Sequence, residues 1–158
     1  MPECLNALED NSMATILVVD DEEDVRAALK RRLEREGYSV AAAASAAQAD
    51  QVIREETPGY DVVVTDMSME RADSGLRVLQ DAMAYDIFTE VIVLTAYGNV
   101  ANAVESMRRG AYDYLEKNVP GIDVYEVLAI KVGQAMERRR AAVSTMRRME
   151  EYASRRRP

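Results

Sequence analysis

Runs of β-branched and apolar residues recur along this chain, and each stops at a polar or charged residue. Thr15-Ile16-Leu17-Val18-Val19 halts at Asp20-Asp21, Asp61-Val62-Val63-Val64-Thr65 at Asp66, and Val91-Ile92-Val93-Leu94 at Thr95. Such continuous runs fit strands covered on both faces, as in a parallel sheet. Tyr38 to Ala42 predicts a weaker strand at an edge, because alanine has little β propensity. Tyr112 to Leu115 predicts a short strand running into Glu116-Lys117. Helical spacing fills the gaps. From Glu22 to Glu36, Val25, Leu29 and Leu33 recur every four residues, with acids early, bases late and Gly37 at the stop. Ser45 predicts the start of a helix to about Glu56, ended by Thr57-Pro58-Gly59. Others are expected from Ser74 to Ala84, from Asn99 to Arg109 before Gly110, and from about Ile122 onward.

Five strands alternating with five helices specify an α/β fold with a parallel sheet and right-handed crossovers. Ligands of such sheets sit beyond the carboxyl ends of the strands. Read in order, those ends carry Asp20-Asp21, Asp66, Thr95 and Lys117.

Composition narrows the chemistry. The 158 residues suit one domain with one core. Histidine is absent, which removes imidazole general-base catalysis and every metal site needing an imidazole. The one cysteine, Cys4, permits no disulfide within the chain, so a reducing, cytoplasmic setting is expected. No apolar run is long enough for a membrane span, and the acidic N-terminus does not resemble a secretory signal, so no membrane insertion is expected. The net charge of −8 is uneven. Residues 138–158 hold eight arginines against Glu150 and Glu151, a net of +6 that leaves −14 for the residues before them. The chain therefore divides into an aperiodic, polar lead-in at 1–13 that reads as disordered, a domain at 14–137, and a basic helical extension at 138–158.

Asp20, Asp21 and Asp66, on neighbouring strands, would repel one another without a cation among them. An oxygen-only cluster suits a hard ion, and Mg²⁺ in particular when a phosphate completes its shell. Lys117 adds a cationic donor and Thr95 a hydroxyl. Together these meet the needs of phosphoryl transfer: charge neutralisation, orientation and a carboxylate nucleophile. Asp66, alone at the end of a middle strand, is the candidate nucleophile, while Asp20 and Asp21 form a metal pair. Taken singly, each residue fits an acidic helix start or a solvated base; their joint placement at strand ends favours a site.

The stretches Ile16 to Glu22, Val62 to Met69, Val93 to Gly98 and Gly110 to Lys117 resemble the receiver domain of two-component response regulators over about Thr15 to Glu137. The resemblance implies a flavodoxin-like, doubly wound five-stranded sheet in the order 2-1-3-4-5, extended here by a long C-terminal helix. It implies that Asp66 takes a phosphoryl group from the phosphohistidine of a sensor histidine kinase or phosphotransfer protein, or from a small acyl phosphate. It further implies Mg²⁺ on Asp21, Asp66 and the Ser68 carbonyl, with Asp20 acting through water, and Thr95 and Lys117 on the phosphoryl oxygens. Small Ala96 leaves room for that group, and Tyr97 and the Ser68 side chain lie where such domains tune its hydrolysis. Tyr114 matches an aromatic switch that turns inward as Thr95 moves, coupling the site to a downstream protein at the face of the fourth helix, fifth strand and fifth helix. The expected role is a switch, with only weak self-phosphorylation and autodephosphorylation. Two departures stand out. Lys117 is followed by Asn118 rather than proline, and the loop after Asp66 reads Met69-Glu70-Arg71-Ala72-Asp73-Ser74-Gly75, without proline and with one extra residue. Glu70 and Asp73 are thereby expected to add charge near the metal.

In the tail, Leu128, Val132, Ala135, Arg139, Ala142, Met146, Met149 and Ala153 alternate spacings of four and three, the seam of a coiled coil with one arginine intruding. A homodimer, docking on a partner helix, and a solvated helix that frays after Met136 are all consistent with it. The arginine clusters lack a helix-turn-helix or an aromatic platform, which argues against nucleic acid in this chain. Three functions are weighed: a phosphorylation-switched module acting through protein contact, which is preferred; the N-terminal receiver of a longer DNA-binding transcription activator; and a Mg²⁺-dependent phosphotransferase on small molecules, which lacks a general acid and a cap.

Overall fold

A computed structural model describes residues 13–56 and 58–157. The lead-in expected to be disordered, with Cys4, falls outside the described residues apart from Met13. So does Thr57. Five parallel strands, β1 (Thr15–Val19), β2 (Ser39–Ala43), β3 (Val62–Asp66), β4 (Glu90–Thr95) and β5 (Asp113–Glu116), form one sheet in the order β2-β1-β3-β4-β5. Five helices connect and flank them: α1 (Glu23–Arg35), α2 (Ala46–Glu55), α3 (Ser74–Tyr85), α4 (Val100–Arg108) and α5 (Val124–Arg155).

Why the central runs are apolar throughout follows from the pleat, which sends alternate residues to opposite faces. Leu17, Val19, Val63, Val91 and Val93 meet Ala49 and Ile53 of α2 and Val78, Leu79 and Ala82 of α3. Ile16, Val18, Val62, Val64, Ile92 and Leu94 meet Leu29 and Leu33 of α1 and Leu128, Val132 and Ala135 of α5. Alanine-rich β2 lies at the edge, as expected, and covers less of its surface.

The ends of the elements follow local chemistry. Gly37, at φ +93°, closes α1 with its N–H on the Glu34 carbonyl while the Tyr38 N–H reaches Leu33, an arrangement that favours glycine. Ser45 accepts from the Gln48 N–H at α2, and Asn99 from the Asn102 N–H at α4. The last helix starts at Val124, two residues later than expected, because the Asp123 carboxylate accepts from the N–H groups of Tyr125 and Glu126. It then runs 32 residues without a break, past Met136, where fraying had been one expectation.

Strand β3 ends one residue later than expected, since Asp66 still pairs with Leu94. The chain then turns back tightly. The Gly75 N–H donates to the Met67 carbonyl at 2.8 Å, and a Cβ on Gly75 would lie 2.7 Å from the Asp66 carbonyl oxygen and 2.8 Å from Met67 Cα. Backbone cannot yield as a flexible side chain can. Gly75→Ala is therefore expected to cost about 1–3 kcal/mol, seen as a lower midpoint in urea unfolding.

Candidate functional site

The carboxyl ends of β1, β3, β4 and β5 bring Asp20, Asp66, Thr95 and Lys117 to one end of the sheet. Asp20 is buried at 1% exposure and Asp66 at 7%, whereas Asp21 is exposed. One carboxylate oxygen from each of the three aspartates lies within 4.8 Å of the others. The Lys117 ammonium donates to Asp20 Oδ2 at 2.6 Å and stands 3.5 Å from Asp66 Oδ2. Asp20 is further fixed by the Glu22 N–H on its Oδ1 at 2.9 Å, and its backbone carbonyl accepts from Arg26 at 2.8 Å.

Three carboxylates and one ammonium leave an excess negative charge in a poorly hydrated place. Burial pushes the Asp66 carboxyl up to about 6, against the pull of Lys117 and with added repulsion from Asp20 and Asp21. Burial alone would push the Lys117 ammonium down, but Asp20 and Asp66 outweigh it and hold its pKa above the ordinary lysine value. The donor set fits a divalent cation: it is all oxygen, negatively charged in excess, and open to solvent at Asp21.

A pH dependence follows for the metal-free protein. A carboxyl whose pKa is raised from 3.8 to about 6 binds its proton more tightly when folded, so its stabilising contribution is present at low pH and fades as pH rises through that interval. The shift corresponds to roughly 3 kcal/mol. Denaturant unfolding without divalent cation should therefore show wild type losing stability relative to Asp66→Asn between about pH 4 and 6, with no further divergence above.

The other expected residues are placed as follows. Thr95 is buried, and its Oγ1 accepts from the Tyr97 N–H at 3.3 Å. Tyr97 is 89% exposed. Ala96 lines a cleft with Lys117, Leu94 and Glu22. The Ser68 hydroxyl donates to the Ala72 carbonyl, which directs that side chain into its own loop. The Tyr114 ring is half-buried against the α2/α3 side of the sheet, and its hydroxyl is buried with no hydrogen-bond partner.

One expectation is corrected. Glu70 does not add its charge to the aspartate cluster but caps α2, accepting from the Ala46 N–H at 2.9 Å and from the Ala47 N–H at 3.4 Å. Burial, the largest single influence on its carboxyl, pushes it up, but hydrogen bonds from the Ala46, Glu70 and Ala47 N–H groups and from Ser74 together favour the anion and hold it below the usual range. Sequence reasoning also missed Arg26 and the Glu22 N–H as supports of Asp20; the acids at the start of α1 pointed to a helix dipole and hid the second role.

Residues 16–129 match the model of the response regulator receiver domain. The chain belongs to the response regulator receiver family. This receiver is 36% identical over 130 residues to the C4-dicarboxylate transport transcriptional regulatory protein DctD of Pseudomonas aeruginosa, covering 82% of this chain and 27% of that protein. It is 32% identical to the acid tolerance regulatory protein ActR of Rhizobium meliloti, covering 78% of this chain and 62% of that one. The receiver spans about a quarter of the length of DctD and of similar relatives such as AlgB. Among solved structures it is similar to a response regulator receiver domain protein from Clostridium thermocellum, at 33% identity and a TM-score of 0.73, covering 82% of this chain and 99% of that one. NtrX from Brucella abortus aligns at 29% identity and a TM-score of 0.73, over 85% of this chain and 29% of its own. The receiver is thus a signalling domain, and no helix among the described residues is long and apolar enough to cross a membrane.

Proposed function

We propose that this receiver takes a phosphoryl group on the Asp66 carboxylate and uses the acyl phosphate to change a protein-binding surface. The donor is the phosphohistidine of a sensor histidine kinase or phosphotransfer protein, or a small acyl phosphate. The supporting observation is the convergence of three aspartates and Lys117 around the end of the central strand. An Asp66 oxygen attacks phosphorus as the bond to the donor nitrogen or oxygen breaks, and the leaving group carries away the bond pair.

Asp21, Asp66 and the Ser68 carbonyl would hold Mg²⁺, with Asp20 acting through water; the ion supplies charge neutralisation to the phosphoryl oxygens. Asp20 also holds Lys117 beside Asp66, ready to pair with a phosphoryl oxygen. The Thr95 hydroxyl, now accepting from Tyr97, turns to donate to another. Withdrawal of Thr95 leaves room that Tyr114 can occupy, and its unpartnered hydroxyl makes the present rotamer a poor resting place. Tyr97 and Ser68, two residues beyond Thr95 and Asp66, tune the phosphoryl lifetime. The surface that reads the change comprises α4, β5 and α5, where Val100, Val104 and Met107 are exposed.

Incubation with acetyl phosphate and Mg²⁺ is expected to add one phosphoryl group per chain by intact mass, and chelation of the metal to prevent it. Absence of modification from acetyl phosphate and from a panel of phosphorylated kinases would overturn the reading. A second reading, favoured by relatives named as transcriptional regulators several times longer, places this receiver at the head of a longer activator. The reading frame beyond Pro158 decides it.

A further inference from the structure

At the end of the sheet opposite the aspartates, α5 is fixed by two consecutive arginines. Arg139 is buried; its Nε donates to Asp61 Oδ1 at 2.8 Å and its Nη2 to Asp86 Oδ2 at 2.9 Å. Its Nη1 is buried without a partner. Arg138 donates to Glu90 at 2.9 Å and lies 5.2 Å over the Tyr112 ring. Asp61 is held in turn by the Thr15 N–H at 2.8 Å, and Asp86 by the Phe88 N–H at 2.9 Å. Asp61 immediately precedes β3 and Glu90 opens β4, the strands whose far ends carry Asp66 and Thr95.

A buried arginine in an apolar seam gains little stability over a hydrophobic residue of similar volume. What it confers is register. Sliding α5 by one turn, about 5.4 Å, would leave the guanidinium buried away from both carboxylates. The same seam that packs on the sheet through Leu128, Val132 and Ala135 continues beyond Arg139 as Ala142, Met146 and Met149, the last two exposed.

We infer that Arg138 and Arg139 clamp α5 to the N-terminal ends of β3 and β4, so that its last four turns form a rigid lever in fixed register with the strands of the site rather than a free tail. This is independent of phosphoryl transfer. It also reassigns Arg139, which reads in sequence as an intrusion into a coiled-coil seam, to a contact with its own domain.

The test is a pulsed electron–electron distance measurement on the full chain with Cys4 replaced by serine and spin labels at Ala47→Cys on α2 and Met149→Cys. One narrow distance distribution is expected, and it should broaden about two-fold in Arg139→Gln as the overrun begins to move independently. Circular dichroism and a thermal melt verify that the variant's receiver is folded. Should Arg139→Gln not fold, Arg139→Lys keeps the charge but loses the fork that reaches both aspartates, and should broaden the distribution to a smaller degree. A broad distribution in the parent chain, or an unchanged narrow one in the folded variant, would overturn the proposal.

Discussion

Asp66→Asn is expected to abolish phosphorylation: under acetyl phosphate and Mg²⁺ the parent chain gains one phosphoryl group and the variant none. The two side chains have nearly the same shape, so packing at the end of β3 is retained. The amide, however, has no anionic oxygen to attack phosphorus, and it removes one of the three charges that attract the metal. The same substitution removes the buried charge whose desolvation, with added repulsion from Asp20 and Asp21, pushes the Asp66 carboxyl up to about 6, so the variant should melt higher than the parent near neutral pH without metal. Loss of modification together with gained stability separates a functional acceptor from a structural acid. Equal phosphoryl uptake by the variant would place the acceptor elsewhere.

Lys117→Met should act in the opposite sense on stability and in the same sense on chemistry. The ammonium is buried at 10% exposure and 2.6 Å from Asp20, whose own carboxylate is 1% exposed. Removing it leaves a buried, uncompensated charge beside two more acids, a change that costs about 3–5 kcal/mol where one partner of a buried pair is lost. It also removes a preorganised donor to the transferring group, which lowers the rate by roughly 10²–10³-fold. Because a divalent cation neutralises the same cluster, Mg²⁺ should raise the melting temperature of the variant more than that of the parent. A variant that melts like the parent and is phosphorylated at the same rate would show Lys117 to be a bystander.

Much of this molecule was legible from one-dimensional pattern. The apolar runs marked the strands because β1, β3 and β4 are covered on both faces, which leaves few positions for polar residues. The acids, Thr95 and Lys117 were legible as one site because strand ends of a parallel sheet converge, so sequence spacing did not matter. What the pattern could not show are contacts whose partners are distant and whose residue types are common on surfaces. Glu70 lies 24 positions from the helix it caps, and Arg139 lies 78 positions from Asp61. Glu70 read as charge beside the metal and Arg139 as an intrusion into a coiled-coil seam, and only the fold reveals that one caps a helix and the other is withdrawn from water. Gly75 was visible as a glycine after β3, but its closeness to the Asp66 backbone depends on how α3 folds back.

The account rests on Asp66 forming an acyl phosphate with the aid of a divalent cation. Borohydride reduces an acyl phosphate to the alcohol, which would convert the modified aspartate to homoserine and leave free carboxylates untouched. Treatment of the chain with acetyl phosphate, with and without Mg²⁺, followed by borohydride and peptide mass spectrometry, reads the site directly. Homoserine at position 66 alone, and only when Mg²⁺ is present, is the expected result. Homoserine at another aspartate, at none, or at position 66 regardless of the metal would contradict it.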